Sequence, residues 1–191
     1  MAGVDEAGCG PWAGPVVAAA VILRTSRLPV RIDDSKRLTS GQRARAFRVI
    51  LDHADVGFGI RCAQDIDRIN ILQAAHAAMQ DAIRELQSPP DLILLDGRLP
   101  LVPPLPCWPL IRGDRRSYVI GCASIMAKVL RDSLMAFYHR LAPRYAFDRH
   151  KGYGTALHAD RLRALGPSVF HRRSFRPVAD AMRAAAGKAA R

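Results

Sequence analysis

The sequence predicts an α/β fold: a mixed central sheet flanked by helices in layers, with a helical C-terminal part. Three observations predict it. Short apolar runs alternate along the chain with segments of helical period, the pattern of strands and helices packed in layers. No internal repeat and no linker marks a second large domain. At 191 residues, with 49% hydrophobic and 24% charged, the chain can bury one substantial core and is not disordered.

The elements follow in order. The opening stretch, MAGVDEAGCGPWAGPVVAAAVIL, has a short apolar lead-in that ends in Asp5-Glu6. A loop with glycines at 8, 10 and 14 leads into the uncharged run 16–23, so the stretch reads as strand, glycine turn, strand. A polar segment, 31–38, precedes Thr39-Ser-Gly-Gln42, a capping box that starts a helix with Phe47, Ile50, Leu51 and Ala54 on its inner face. Residues 56–60 alternate as a strand. Asp65 and Asp67, read as helix-start residues, precede a periodic helix with Ile69, Leu72, Met79, Ile83 and Leu86 facing the core, closed by Pro89-Pro90. Residues 91–97 form a short buried strand ending in Asp96-Gly97, and the proline-rich stretch 100–109 is a loop returning through Trp108 to a strand. Arg112-Gly-Asp114 stands before a long central helix over about 117–141. The rest is basic: a loop around 149–155, a helix near 156–165, the run His171-Arg-Arg-Ser-Phe175, and an Ala/Arg-rich end that is helical or frayed.

Composition narrows the function. A formal charge of +12 suits a polyanionic partner, nucleic acid first. The four cysteines, Cys9, Cys62, Cys107 and Cys122, form no C-x-x-C pair, which argues against structural zinc and against a disulfide framework and fits a reducing cytosol. With no signal peptide and no apolar run of membrane length, a soluble cytoplasmic protein is expected.

Three segments end a strand or open a helix with a carboxylate: Asp5-Glu6, Asp96 and Asp114. In α/β sheets such ends gather at one edge, where sites are built. Neighbouring strand residues point to opposite faces, so Asp5 and Glu6 share a site only through a bend or an ion. Carboxylates without a Cys/His pair favour a hard cation, Mg²⁺ or Mn²⁺, and two such ions roughly 4 Å apart can drive chemistry at phosphorus.

The motifs GVDEAGCGPWAGPVVAAAV, DDSKRL, DIDRINILQA, LLDG, GDRRSYVIGCASIMAKVLRD and FDRHKGYGTALH, followed by HRRSFRPV, stand in the order of bacterial ribonuclease HII, the type 2 ribonuclease H family. The resemblance runs from residue 3 to about 178. It implies a ribonuclease H-like catalytic core over 1–142, with 143–191 as a basic helical segment packed on it in one structural domain. It also implies an endonuclease that cuts the RNA of RNA–DNA hybrids and cuts 5′ of single ribonucleotides in duplex DNA, leaving 3′-hydroxyl and 5′-phosphate ends. By that resemblance Asp5, Glu6, Asp96 and Asp114 hold two Mg²⁺ or Mn²⁺ ions. Gly8-Cys9-Gly10 matches the loop that senses the 2′-hydroxyl through its main chain, and Tyr153 matches the tyrosine that stacks on the following deoxyribose. Ser35, Lys36, Lys151, Arg173 and Ser174 match segments that contact phosphates. Asp132 is read as a helix or salt-bridge residue. A monomer, and a role in ribonucleotide removal and DNA replication, are likewise implied.

One departure stands out. The resembling family has arginine at the centre of the sensor loop, and this chain has Cys9, which keeps the backbone and loses a cation with five donors. Two rivals follow: a hybrid-binding module that cuts weakly, and a ribonuclease HIII-like enzyme needing consecutive ribonucleotides.

Overall fold

A computed structural model describes residues 1–97 and 105–189. Residues 100–104 of the proline-rich stretch lie outside the described residues. Packing divides the chain into two compact units. The first comprises Met1–Ala7, Val17–Ile60 and Ala75–Leu130; the second comprises Gly8–Val16, Arg61–Ala74 and the chain from Arg131 onward.

The first unit is built on a five-stranded sheet. Its strands are β1 (Ala2–Ala7), β2 (Val16–Leu23), β3 (Ala54–Arg61), β4 (Ile93–Asp96) and β5 (Cys107–Leu110), in the order β3-β2-β1-β4-β5. β1 runs antiparallel to β2 and parallel to β4, and β4 is parallel to β5, so the sheet is mixed. Strand alternation sends successive residues to opposite faces. On one face, Ala19 and Val21 pack with Ala46 and Ile50 of α1 (Ser40–His53) and with Val119, Ala123 and Met126 of α5 (Tyr118–Leu141). On the other, Ala2, Val4, Ala18, Ala20, Ile93 and Leu95 pack with Ala78, Met79 and Ala82 of α3 (Ile71–Arg84).

The capping box at Thr39 forms as expected, Thr39 Oγ1 accepting from Gln42 N–H while the Gln42 side chain accepts from Thr39 N–H. The inner face of α1 is Ala46 and Ile50. Leu51, assigned to that face, is exposed, and Ala54 opens β3. The periodic stretch after Asp65 is two helices, α2 (Ala63–Ile69) and α3, with Asn70 between them at φ +65°. The Asn70 Oδ1 accepts from Leu72 N–H and Gln73 N–H, capping α3. Leu72 is therefore exposed, and the ridge that meets the sheet is Ala78 and Ala82 with Met79. Small residues are required there: a Cβ on Gly59 of β3 would stand 1.8 Å from the Ala78 carbonyl oxygen.

The second unit has α6 (Phe147–His150), α7 (Ala156–Leu165) and α8 (Arg176–Ala189), together with the C-terminal part of α5. Its core is Ala13, Met135 and Phe147, packed by Tyr138, Tyr145 and Phe170, with the Tyr138 and Phe170 rings stacked at 4.4 Å. No helix among the described residues is long and apolar enough to cross a membrane.

Candidate active site

In the first unit the acids gather because the strands that carry them are neighbours. The β1–β4 register pairs Val4 with Leu95, so the next step sets Asp5 level with Asp96. Asp96 in turn pairs with Leu110 of β5, four residues before Asp114 in α4 (Gly113–Arg116). Gly113 N–H donates to Asp96 Oδ1 at 2.6 Å, tying the start of α4 to the end of β4. Asp5 pairs with Ala19, whose side chain belongs to the α5 face, whereas Glu6 pairs with Ala18 of the other face. The alternation expected of adjacent acids therefore holds.

Asp5 is 4% exposed and accepts the Glu6 N–H at 2.7 Å. Burial pushes its carboxyl well above the usual range, the charges of Glu6 and Asp96 push it further, and hydrogen bonds from Ser124 and from the Glu6 N–H oppose them. Asp114 is also raised, by burial and then by Asp34 and Asp96, against the pull of Lys36 and Arg115. Burial and neighbouring carboxylates disfavour the charged forms of Asp5 and Asp114, which is the condition a cation relieves. Their donor chemistry fits a hard divalent ion: oxygen alone, no thiolate or imidazole. Among the described residues, no three His, Cys, Asp or Glu side chains already converge on one ion position.

The segment 31–38 supports this cluster. Asp34 is buried, and its Oδ2 accepts from Arg115 Nε at 3.1 Å and Nη2 at 2.8 Å while Oδ1 accepts from Lys36 N–H. Burial raises the Asp34 carboxyl, but these partners together hold it below the ordinary value. Ser35 is buried with its Oγ 3.1 Å from Ser124 Oγ, so it backs the Asp5 partner; Lys36 is exposed. Asp34 and Ser124 were given no role from sequence. The adjacent acids of the DDSKRL motif were the available signal for the first, and nothing local marks the second.

The second unit carries the loop and the tyrosine. Gly8 sits at φ +102°, and a Cβ there would lie 2.1 Å from Arg131 Nε. Gly8 is buried, Cys9 half-buried and Gly10 exposed. Two guanidiniums, both fully buried, grip this stretch. Arg172 donates to the carbonyls of Gly8 (2.6 Å), Cys9 (3.0 Å) and Gly14 (3.0 Å), and Arg131 donates to those of Pro15 (3.0 Å) and Ala13 (3.3 Å). The Arg131 guanidinium also lies over the Tyr153 ring, 5.6 Å from its centroid. Burial and then the neighbouring Arg131 charge lower Arg172 to about 9.

Tyr153 is 43% exposed, and its backbone is fixed by histidines: its N–H donates to the His150 carbonyl, and its own carbonyl is 2.9 Å from His158 Nδ1. His150 Nδ1 accepts from Gly152 N–H and His171 Nδ1 accepts from Ser168 N–H, so each carries its proton on Nε2. His171 Nε2–H then donates to His158 Nε2 at 3.1 Å, and His158 holds its proton on Nδ1, facing Tyr153. All three rings are neutral in this arrangement. Burial, then the other histidines, lowers His158 to about 4 and His171 to about 3; burial also lowers His150.

Lys151 is half-buried at φ +52°, ending α6. Arg173 and Ser174 are exposed, but their N–H groups and the Ser174 hydroxyl donate to Asp67 at 2.9, 2.8 and 2.6 Å. Asp67, expected at a helix start, is the carboxylate that shapes this turn. Asp132 lies in α5. Arg131, Arg172 and the histidines were missed from sequence, where they read as surface charge and loop polarity.

Comparison with known proteins bears on the whole chain. Residues 2–178 match the model of the family described as Ribonuclease HII. The ribonuclease HII of Chlamydia muridarum is 49% identical over 185 residues, covering 96% of this chain and 85% of that protein. The crystal structure of ribonuclease H2 from Pyrococcus horikoshii OT3 superposes with a TM-score of 0.78 at 23% identity, covering 96% of this chain and 97% of that one. Bst-RNase HIII in complex with Mn²⁺ gives 0.68 at 17% identity, covering 96% and 69%. The two solved structures share the fold, and the sequence match extends over almost the whole chain. This chain therefore belongs to the ribonuclease HII family: it is a ribonuclease H, a hydrolase acting on RNA–DNA hybrids.

Proposed function

We propose that this enzyme cuts the RNA strand of hybrids and cuts 5′ of single ribonucleotides embedded in duplex DNA, leaving 3′-hydroxyl and 5′-phosphate ends. The observation that carries the reading is geometric: buried Asp5 ends β1 beside β4, which ends in Asp96, and Gly113 ties Asp96 to the helix that bears Asp114. Asp5, Glu6, Asp96 and Asp114 would hold two Mg²⁺ or Mn²⁺ ions. When bound, such ions supply Lewis acidity at the phosphate and at both the attacking and leaving oxygens. Ser124 orients Asp5, while the Arg115–Asp34 pair fixes α4 and with it Asp114. Lys36, Lys151 and Arg173 set the register of the duplex by phosphate contacts, which read no sequence. Ser35 and Ser174 serve through the segments they fold, since both hydroxyls already have protein partners.

The 2′-hydroxyl distinguishes RNA from DNA at one position. Gly8, Cys9 and Gly10 read it with main-chain groups, and the exposed Tyr153 ring stacks on the next deoxyribose. The enzyme acts as a cytoplasmic monomer in ribonucleotide removal during DNA replication and repair.

The test is cleavage of a labelled DNA duplex containing one ribonucleotide, in Mg²⁺ and in Mn²⁺, beside Asp5→Asn and Cys9→Arg. A 5′-side cut that disappears in Asp5→Asn and is retained in Cys9→Arg is expected. If a long hybrid is cut while the single ribonucleotide stays intact, the enzyme is HIII-like in specificity. Binding of both without any cut would make it a hybrid-binding module.

A further inference from the structure

Arg131 and Arg172 are buried without carboxylate partners for the bonds described. The five side-chain hydrogen bonds described for them end on main-chain carbonyls between Gly8 and Pro15. Arg131 Nη1, also buried, has no acceptor among the described residues. Burying guanidiniums this way is a poor means of gaining stability, because the desolvation of each charge is only partly recovered. Geometry is what the arrangement secures. A planar fork with donors in fixed directions sets the orientation of successive carbonyls, and lysine, a point charge on a flexible stem, cannot reproduce it. Each peptide plane is rigid, so fixing the carbonyls of Gly8 and Cys9 also fixes the N–H groups of Cys9 and Gly10.

The same guanidinium that holds Pro15 and Ala13 lies over Tyr153. Further bonds bind the tyrosine segment to the loop: Trp12 N–H to the Gly152 carbonyl, and Arg172 N–H to the Trp12 carbonyl. Gly8 has no room for a side chain, because Arg131 occupies that space. Residue 9 is held by its carbonyl, whatever side chain it carries.

We propose that Arg131 and Arg172 are positioning residues that lock the Gly8–Pro15 main chain and couple it to Tyr153, so that recognition at residues 8–10 is set by the clamp and not by the side chain at position 9. This rests on the reading of that loop as the 2′-hydroxyl sensor.

The experiment compares wild type with Arg131→Lys and Arg172→Lys, and with Gly8→Ala as a variant that leaves both arginines in place. Two readouts are taken: hydrogen–deuterium exchange of the peptide spanning 8–16 in the free protein, and kcat/KM on a single-ribonucleotide duplex against a uniform hybrid. Each variant should show at least 10-fold faster exchange confined to 8–16 and 149–155. Each should also lose at least 10-fold on the single ribonucleotide, several times more than on the hybrid, with KM carrying most of the change. Should a lysine variant fail to fold, Gly8→Ala decides. Unchanged exchange at 8–16 in folded variants would overturn the clamp even if wild type cuts single ribonucleotides. An equal loss on both substrates would overturn the assignment to recognition. If wild type does not cut single ribonucleotides, the functional reading fails, and the exchange data alone then support or overturn the clamp.

Discussion

The histidine cluster under Tyr153 makes stability depend on pH with a definite sign. An unfolded histidine titrates near 6.5, whereas His158 is lowered to about 4 and His171 to about 3. A depressed folded value means the unfolded chain binds protons first, so stability is complete above pH 6.5 and is lost as pH falls toward 4 and 3. At pH 5 each unfolded histidine gains about 2 kcal/mol of proton binding that its folded counterpart forgoes. The two together therefore cost about 4 kcal/mol; allowing half for local relaxation leaves about 2, a large part of the roughly 5–15 kcal/mol of a typical domain. The groups facing the cluster offset burial only in part. His158 meets His150, His171 and the Tyr153 carbonyl; His171 meets Tyr145, Phe147 and Ser168; His150 meets Asp148 at its edge but also Arg149. Urea unfolding at pH 7.5, 6.5, 5.5 and 5.0, in saturating Mg²⁺ to keep the acid cluster ionised, should show the midpoint falling by about 1–2 M for an m-value of about 2 kcal/mol/M. A midpoint that is flat or rises over this range would refute the tautomer chain, because it would mean that a histidine is already charged in the fold.

Three further outcomes are expected. Mg²⁺ or Mn²⁺ should raise the thermal midpoint of the wild-type protein, since it relieves the repulsion around Asp5, and Asp5→Asn should remove most of that gain in a thermal shift titration. Asp34→Ala should cost about 1–3 kcal/mol in urea unfolding, because it leaves Arg115 and the Lys36 N–H without a buried acceptor, and should lower kcat by displacing α4. Gly8→Ala should destabilise by about 1–3 kcal/mol through its φ of +102° and the contact with Arg131, read by the same unfolding assay.

The acids were legible because strand ends, glycines and carboxylates are local signals. Asp5, Glu6, Asp96 and Asp114 could be placed at one sheet edge from pattern alone, and the structure sets Asp5 level with Asp96. The clamp was illegible for the opposite reason. Arg172 meets Gly8 across 164 residues and Arg131 meets Pro15 across 116, and in sequence each is simply one more cation in a chain of charge +12. Periodicity misled where packing used small residues: the helix after Asp65 presents alanines to the sheet, so Leu72, a natural core choice, faces solvent. Asn70 hid the break because asparagine inside a helical pattern reads as a tolerated polar residue, whereas here it caps a second helix.

The parallel pairing of β1 with β4 has a consequence for synthesis. The first two acids leave the ribosome about 90 residues ahead of Asp96, a lag of about 5–20 s at usual elongation rates. During that interval β1 can form its hairpin with β2 but lacks its parallel neighbour. The acid cluster is thus assembled by a late, long-range event, and a chain arrested before β4 carries Asp5 and Glu6 without Asp96 and Asp114.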